Sequence, residues 1–325
     1  MQTIGSEESK LRMFVYFFIS ISVMLPNAIT LVSMGRTRGI PQNIKIPAMN
    51  LNICDILSGL SILLRVILKF GAVEIPPNAS CFIQSSWTLT TCFGSMLIVA
   101  TIAIDRFICL YYENAYITKV TVRKVIMCQV ATWVLSLVYS LVTLVDHVPD
   151  YTDVRCFNPY IGPFGRGLQL TLGITCRILA FISYVFIYVR IKQMVKSDLK
   201  KGLKTKGTFK TTYKLVLIGV IFHVMYFPFL CYNIYLIFYP ELTKKTEMFL
   251  VISSFLVLLN GCVNPFVYAW RFPECRLEAK KIFFFFNKNK KKAEDEKRKR
   301  ILVSFLDTSS YGNGGPKIVC NGNSS

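Results

Sequence analysis

Charged and amide side chains within long apolar segments are the residues of this sequence that could carry chemistry. Asp55 lies in the middle of one such segment, Asp105-Arg106 lies near the end of another, and Asn264-Pro265 lies near the end of the last. A carboxylate or an amide in hydrocarbon must find a partner, and an internal Pro removes one backbone hydrogen bond and bends its helix. These positions are therefore the first candidates for functional residues.

The apolar segments that must position these residues make up most of the chain. Of 325 residues, 53% are hydrophobic and 17% are charged, which is more apolar than an ordinary soluble domain. Because only helices or closed barrels satisfy the backbone in lipid, these segments predict an all-α membrane protein. We expect a seven-transmembrane helix bundle with spans at about residues 12–35, 44–69, 82–110, 124–146, 165–191, 213–239 and 246–270.

The distribution of charge predicts the orientation. The formal net charge is +20, and basic residues follow the first, third, fifth and seventh spans, whereas the opposite loops carry both signs. Cationic loops stay in the cytoplasm, so we expect a multi-pass protein of the plasma membrane with an extracellular amino terminus and a cytoplasmic carboxyl terminus. The basic segments are explained by cytosolic charge that faces membrane lipids, and no nucleic-acid partner is expected.

The segments outside the spans are short. We expect an extracellular amino terminus at 1–11, which is too short to capture a ligand, followed by the seven-transmembrane domain at 12–270. A short amphipathic helix on the membrane surface is predicted at 271–286. Residues 287–325 are charged and then rich in Gly, Asn and Ser, which predicts a disordered cytoplasmic tail.

Two cysteines differ from the others in position. Cys81 begins the third span on the outer side, and Cys156 lies in the outer loop before the fifth span. The outside compartment is oxidising, so we predict a Cys81–Cys156 disulfide that holds this loop over the mouth of the bundle. Asn78-Ala79-Ser80 is a sequon on the same side, which makes Asn78 a glycosylation candidate.

Motif residues occur in every span, in a fixed order. Cys81 precedes Arg106 by 25 residues, and Asn264-Pro265 is followed by Tyr268. The other motif residues are Asn27, Asn50-Leu51-Asn52, Asp55, Ser95, Asp105, Trp133, Tyr188, Phe222, Pro228 and Asn260. With these residues at this spacing, the chain resembles the rhodopsin-like (class A) G-protein-coupled receptors over nearly all of its helical part.

Two features of the sequence bear on the branch of that family: one departure from the usual pattern and one motif. Ala180 stands where a Pro is usual in the fifth span, as in melanocortin and cannabinoid receptors, and Tyr268-Ala269-Trp270-Arg271 resembles the melanocortin and adenosine receptors. Cys81 has no counterpart in melanocortin receptors. The resemblance therefore leans to this group of branches without selecting one.

The resemblance implies a function in signal transduction. An extracellular ligand would act on a heterotrimeric G protein through outward motion of the sixth span, with Asp105 holding Arg106 at rest. The stretch 206–210 lacks the acid that many relatives use as a second restraint on that Arg, so we expect some basal activity. The residues implied in coupling are Asp105, Arg106, Tyr188, Asn264, Pro265 and Tyr268.

The resemblance also implies an activation switch and an ion pocket. The switch would comprise Met96, Phe222, Tyr226 and Pro228, where Tyr226 replaces the usual Trp. The ion pocket would hold a sodium ion or a proton, although a purely structural hydrogen-bond network is the alternative. No other cofactor or metal site is expected, and the pocket residues are Asp55, Ser95, Asn260 and Asn264.

The class of ligand is limited by the absence of two known ligand-binding residues and by the presence of two arginines within the spans. Thr88 stands at the position of the amine-binding Asp, and Leu258 stands at the position of the retinal-binding Lys, so neither ligand is expected. Arg65 and Arg177 suggest an anionic small molecule, a lipid or a peptide, because a buried Arg marks a functional site by default. Alternatively, Arg65 snorkels to the surface and Arg177 pairs with a loop acid such as Asp146 or Asp153. The ligand-site candidates are Arg65, Thr88, Cys92, Arg177, Phe229 and Asn233.

The segment after the seventh span carries candidate modification sites. Cys275 is a palmitoylation candidate, and Ser304 with Thr308-Ser309-Ser310 could be phosphorylated by a receptor kinase and recruit arrestin.

A receptor-like scaffold without G-protein coupling is the main alternative function, and a transporter is less favoured because no paired half-sequences occur. His223 is expected to be a packed core residue. An enzyme is not expected, since no nucleophile motif or metal-ligand cluster occurs in context.

Overall fold

The apolar segments of the sequence form long helices. The computed structural model describes the backbone of residues 2–69, 77–145, 163–200, 206–239, 243–284 and 296, and most of the side chains within these ranges. Within this part there are nine helices and no strand. The helices are α1 (Gln2–Arg36), α2 (Gln42–Lys69), α3 (Pro77–Tyr111), α4 (Glu113–Lys119), α5 (Val122–Val145), α6 (Pro163–Lys200), α7 (Lys206–Phe238), α8 (Lys244–Arg271) and α9 (Pro273–Phe283).

Seven of these helices correspond to the predicted spans. In the described ranges, six carry an apolar stretch long enough to cross a membrane, namely α1, α2, α3, α5, α6 and α7. The seventh, α8, contains a shorter apolar stretch, Val251–Val267. The all-α fold class is confirmed. Several helices continue beyond the predicted spans, because polar flanks extend a helix until a Gly, a Pro or a turn ends it.

The helices pack mainly against their neighbours in the chain. α1 contacts α2 and α8, α3 contacts α2, α5 and α6, and α7 contacts α6 and α8. The largest buried cluster lies between α2, α3, α5 and α7 and includes Leu51, Phe93, Met96, Tyr139 and Phe222. Large apolar side chains on the opposite faces of α5 and α6 are exposed, as expected for helices that face lipid.

Buried amides and an indole join helices that are distant in sequence. The Asn27 side-chain nitrogen donates to the carbonyl oxygen of Gly261, 2.8 Å away, and so joins α1 to α8. The Trp133 indole nitrogen donates to the Asn50 side-chain oxygen at 3.0 Å, which joins α5 to α2. Such hydrogen bonds satisfy polar groups in a region without water and align the helices that carry the motif residues.

The amphipathic helix after the last span is α9, and it packs against α1 and α8. Glu274 accepts a hydrogen bond from the backbone nitrogen of Gly39 at 3.1 Å, so α9 is attached to the turn between α1 and α2. Lys281 and Glu278 form a buried ion pair at 2.9 Å. The predicted short helix therefore packs against the bundle beside the turn between α1 and α2.

Candidate functional site

The carboxyl-terminal end of α3 carries a closed polar cluster around Arg106. The Arg106 Nε donates to Asp105 Oδ2 at 2.9 Å, and its Nη2 contacts the same carboxylate oxygen. The Nη2 also donates to the Tyr116 hydroxyl at 3.0 Å, and that hydroxyl donates to Asp105 Oδ1 at 2.7 Å. Arg106 and its carboxylate are thus closed into a ring by Tyr116 of α4. Asn43 of α2 completes the cluster by donating to the same hydroxyl.

The Tyr116 hydroxyl uses all of its hydrogen-bonding capacity in this cluster. A phenol offers one donor and two acceptor positions, which here serve Asp105, Arg106 and Asn43. Burial raises the pKa of Tyr116 to about 12, and Asp105 acts in the same direction while Arg106 opposes it. Tyr116 therefore remains protonated at physiological pH and keeps its donor on the carboxylate.

The carboxylate of α2 meets an amide of α8 in the middle of the bundle. The Asn264 side-chain nitrogen donates to Asp55 Oδ2 at 2.9 Å. Ser95 and Asn260 are also buried, and a Cβ built on the adjacent Gly261 would lie 3.4 Å from Asp55. These side chains supply hard oxygen atoms of the kind that bind a small cation such as sodium.

Three of the four residues predicted as the activation switch share one buried cluster. Met96 of α3 belongs to the same buried cluster as Phe222 and Tyr226 of α7. The rings of Phe222 and Tyr226 are stacked with centroids 4.4 Å apart. The Arg177 guanidinium carbon of α6 lies 5.4 Å from the Tyr226 ring centroid, which is a cation–π contact.

His223 forms a second connection between α6 and α7 beside this contact. Its Nε2 lies 3.1 Å from the carbonyl oxygen of Arg177, and its Nδ1 lies 2.7 Å from the carbonyl oxygen of Gly219. A Cβ at Gly219 would run into the ring of Tyr184, so the absence of a side chain there permits this close approach of the two helices. His223 is therefore half-buried rather than a core residue, and it joins two helices.

The outer ligand candidates separate into groups. Arg65 Nε donates to the Gln84 side-chain oxygen at 3.2 Å, and Ser61 and Thr88 hydroxyls lie 3.2 Å apart, so these residues join α2 to α3. The Asn233 amide donates to the carbonyl oxygen of Phe229 in its own helix, 2.7 Å away. In that group, Phe229 packs with Tyr232 and Leu236.

Cys92 instead belongs with Arg177. The titratable side chains that interact electrostatically with this arginine are Tyr226, Cys176, Cys92 and Tyr139. The six ligand candidates thus divide between the α2–α3 boundary, the bundle centre and the outer part of α7.

Of the other predicted residues, Tyr188 lies in α6 and Cys275 in α9, and several lie outside the described side chains. Tyr188 is 44% exposed, and the Lys192 Nζ lies 5.3 Å from its ring centroid. Cys275 is fully buried, and burial together with Glu278 raises the pKa of its thiol to about 12, so acylation would require α9 to move. The following lie outside the described side chains: Asn78, Cys81, Asp146, Asp153, Cys156, 206–210, Tyr268, Ser304 and 308–310.

Sequence reasoning did not identify Tyr116, Asn43 or Gln84. Tyr116 lies ten residues after Arg106 in a short helix, and neither its spacing nor its neighbours distinguish it from an ordinary loop residue. Asn43 and Gln84 are polar residues near the ends of apolar segments, where polar side chains are common. Only their contacts across helices indicate a role.

Comparison with known protein families agrees with this arrangement. The family described as "7 transmembrane receptor (rhodopsin family)" matches residues 26–268, which is most of the chain. The protein belongs to this family and is a rhodopsin-like, multi-pass membrane receptor. Members of the family in general respond to an extracellular ligand, act through G proteins and are not typically enzymes.

Proposed function

We propose that this receptor transmits an extracellular signal to a heterotrimeric G protein by releasing Arg106 at the inner end of α3. The observation that carries this proposal is the closed ring of Asp105, Arg106 and Tyr116. A guanidinium held in this way cannot reach a partner outside the bundle. A ligand that binds the open arrangement more tightly would shift the population toward release.

The route from the ligand to Arg106 passes through the switch residues. Phe222 and Tyr226 stack on each other and share a buried cluster with Met96, so movement of one ring changes the packing of α7 against α3. Pro228 lies inside α7 and provides a position at which that helix can bend. Outward motion of the inner half of α7 would follow and would open the G-protein site.

The orientation that this function needs is supported by charge. Basic residues concentrate in the segments that follow the first, third, fifth and seventh spans. We therefore place the amino terminus outside the cell and the carboxyl terminus in the cytoplasm, in the plasma membrane. Signalling would end when a receptor kinase phosphorylates the tail and arrestin binds, with Ser304 and residues 308–310 as the acceptors.

A sodium ion at Asp55 is proposed to stabilise the resting arrangement. Asp55, Ser95, Asn260 and Asn264 are all buried, and oxygen donors of this kind suit a small hard cation. We expect basal output to be lower in sodium than in potassium at equal ionic strength, and we expect Asp55→Asn to remove the difference. An equal output in both salts would leave a structural hydrogen-bond network as the role of these residues.

The proposed ligand carries an anionic group and binds between the outer halves of the spans. Arg65 and Arg177 support this proposal, because both place a cation inside a region where charge is costly. A small acid, a lipid acid and a peptide carboxyl terminus all share this chemistry.

The experiment that tests the function compares wild type with Arg106→Ala at equal surface density. Output of cAMP and calcium is measured first without ligand and then with lipid acids, nucleosides and peptide extracts. Arg123→Ala is the matched control, since it removes an exposed cation from the start of α5. A wild-type signal that is lost only in Arg106→Ala supports G-protein coupling. Silence of a well-expressed wild type favours a receptor-like scaffold.

A further inference from the structure

Arg177 is a charged residue of the bundle that lacks a hydrogen-bond acceptor for one of its nitrogens. Its Nε is buried and has no hydrogen-bond partner in the described part of the chain. Two tyrosines and two cysteines interact with it electrostatically, and no described carboxylate pairs with it. A buried guanidinium nitrogen is costly without an acceptor, so the ring of Tyr226 is an incomplete partner.

Space for a partner lies one helical turn away on the same face of α6. Gly173 precedes Arg177 by four residues, and residues at this spacing lie above one another on a helix. Gly173 is buried, yet a Cβ built there would have only one described heavy atom within 4 Å, the Met96 Cε at 3.9 Å. The face of α6 is therefore open at Gly173, one helical turn from Arg177.

The surroundings of this space are apolar. Leu168, Leu172 and Cys176 of α6 are half-buried against the cluster that contains Phe93. A ligand that fits here needs an apolar body, which would pack on these side chains, and one anionic group for Arg177. A carboxylate is the natural partner, because charge-assisted hydrogen bonds to a guanidinium are shorter and stronger than a contact with a neutral ring.

We propose that Arg177 and the space at Gly173 form the subsite for the carboxylate of an amphipathic acid, and that this carboxylate draws the guanidinium away from Tyr226. The proposal rests on the receptor function proposed above and names its ligand class. Of the two contacts that Arg177 makes with α7, only the one made by its side chain then changes. The Arg177 side chain leaves the Tyr226 ring, while its backbone carbonyl keeps its contact with His223 Nε2. Tyr226 is freed and can shift against Phe222.

The restraint on Tyr226 is tested without any ligand. Arg177→Gln and Tyr226→Leu each remove the cation–π contact, so each should raise basal output about threefold at equal surface density, and the double variant should rise no further. Tyr226→Phe keeps the ring and with it the cation–π contact, so Arg177→Gln should raise basal output by the same factor in the Tyr226→Phe background as in wild type. Unchanged output in both single variants, or additive effects in the double variant, would overturn the restraint.

Binding is tested on purified receptor in lipid nanodiscs by thermal unfolding. The probes are octanoate, oleate and phenylacetate, each compared with its uncharged amide. We expect at least one acid to raise Tm by more than its amide does, and we expect this difference to vanish in Arg177→Gln and in Gly173→Leu, which fills the space. Ligand-free Tm of each variant, with Arg177→Lys as a second charge-retaining variant, shows that the fold is retained.

Arg190 provides the matched control. It lies over the Tyr111 ring with its guanidinium carbon 5.5 Å from the centroid, and its Nε is also buried without an acceptor in the described chain. It is on the same helix but near the inner end, so Arg190→Gln should keep the acid-dependent rise in Tm. A rise that survives Arg177→Gln, a rise that Arg190→Gln abolishes equally, or no acid-selective rise with any probe would overturn the subsite.

The two proposals fail separately. An Arg177-dependent rise in Tm without any signal in cells would support the subsite and count against G-protein coupling. The opposite result has two parts: a cellular signal that requires Arg106 but is unchanged by Arg177→Gln, and acids that shift the Tm of wild type and of Arg177→Gln equally. This result would support the receptor function and reject the subsite.

Discussion

Arg106 is buried and Arg177 is half-buried with a buried Nε, and the two arginines have different partners. Arg106 has an adjacent carboxylate and a hydroxyl, and these partners also bond to each other. Arg177 has an aromatic ring on one side, open space one turn away and no described acceptor for its Nε. A charge whose partners are all internal favours one resting arrangement, whereas a charge with an incomplete partner can respond to a molecule from outside.

The largest effect in this comparison is expected from removing the carboxylate at the inner end. Asp105→Ala leaves Arg106 buried without a counter-charge, and breaking a buried pair in this way costs about 3–5 kcal/mol. We expect basal output to rise several-fold at matched surface expression and the melting temperature of the purified receptor to fall. Asp105→Glu, which keeps the charge, should show much smaller changes. A basal output equal to that of wild type would show that the ring does not restrain Arg106.

A smaller effect is expected from the hydroxyl that closes the ring. Tyr116→Phe removes one donor to Asp105 and leaves Asn43 and Arg106 each short of an acceptor, at a cost of about 1–3 kcal/mol. Basal output should rise, but less than in Asp105→Ala. Tyr112→Phe is the control, because Tyr112 is 59% exposed and lies four residues earlier. Equal behaviour of the two variants would contradict the role of Tyr116.

The contact between α6 and α7 near Arg177 is tested by a glycine. Gly219→Ala places a methyl group against the Tyr184 ring, and forced overpacking of this kind costs about 1–3 kcal/mol. We expect lower thermal stability and a weaker link between His223 and α6, with raised basal output. Gly167→Ala, where a Cβ would meet no described atom within 4 Å, should leave stability unchanged. Tolerance of Ala at both positions would mean that the two helices separate readily.

The smallest effect is expected at Asn233. Its amide is already bonded to the Phe229 carbonyl of its own helix, so Asn233→Ala should change ligand response and stability by less than about 0.5 kcal/mol, as at ordinary sites. Gln84→Ala, which takes an oxygen from Arg65, should have a larger effect on both. Dose–response curves at equal expression measure the difference. A strong loss in Asn233→Ala alone would move the ligand toward the outer part of α7.

The predictable part of the site consists of residues within the spans. Asp55 and Asn264 were expected to meet, and they form a hydrogen bond across helices that are distant in sequence. Arg106 was expected to be held by Asp105, which is its neighbour in the chain, and this contact is present. The resemblance to the receptor family implied the pair of Asp55 with Asn264, and chain adjacency implied the pair of Asp105 with Arg106; in both cases a buried charge must find a polar partner.

The remaining contacts could not be predicted, because they cross between elements whose relative positions depend on packing. Tyr116 reaches Asp105 from a short helix after α3, and Asn43 reaches Tyr116 from the start of α2. Arg177 was expected to face either a ligand or a loop acid, but in the structure it lies over Tyr226. Asp146 and Asp153, the acids considered for it, lie outside the described residues.

The sequence by itself determined that this is a helical membrane protein with seven spans, and its motif residues determined the receptor family. Membrane length and apolar composition are properties of single segments, so they can be read without knowing how the segments pack. Only the tertiary structure decided which arginine is paired with a carboxylate and a hydroxyl and which one lies over an aromatic ring. That distinction depends on distances between side chains of different helices, and those distances are set by the packing of the whole bundle.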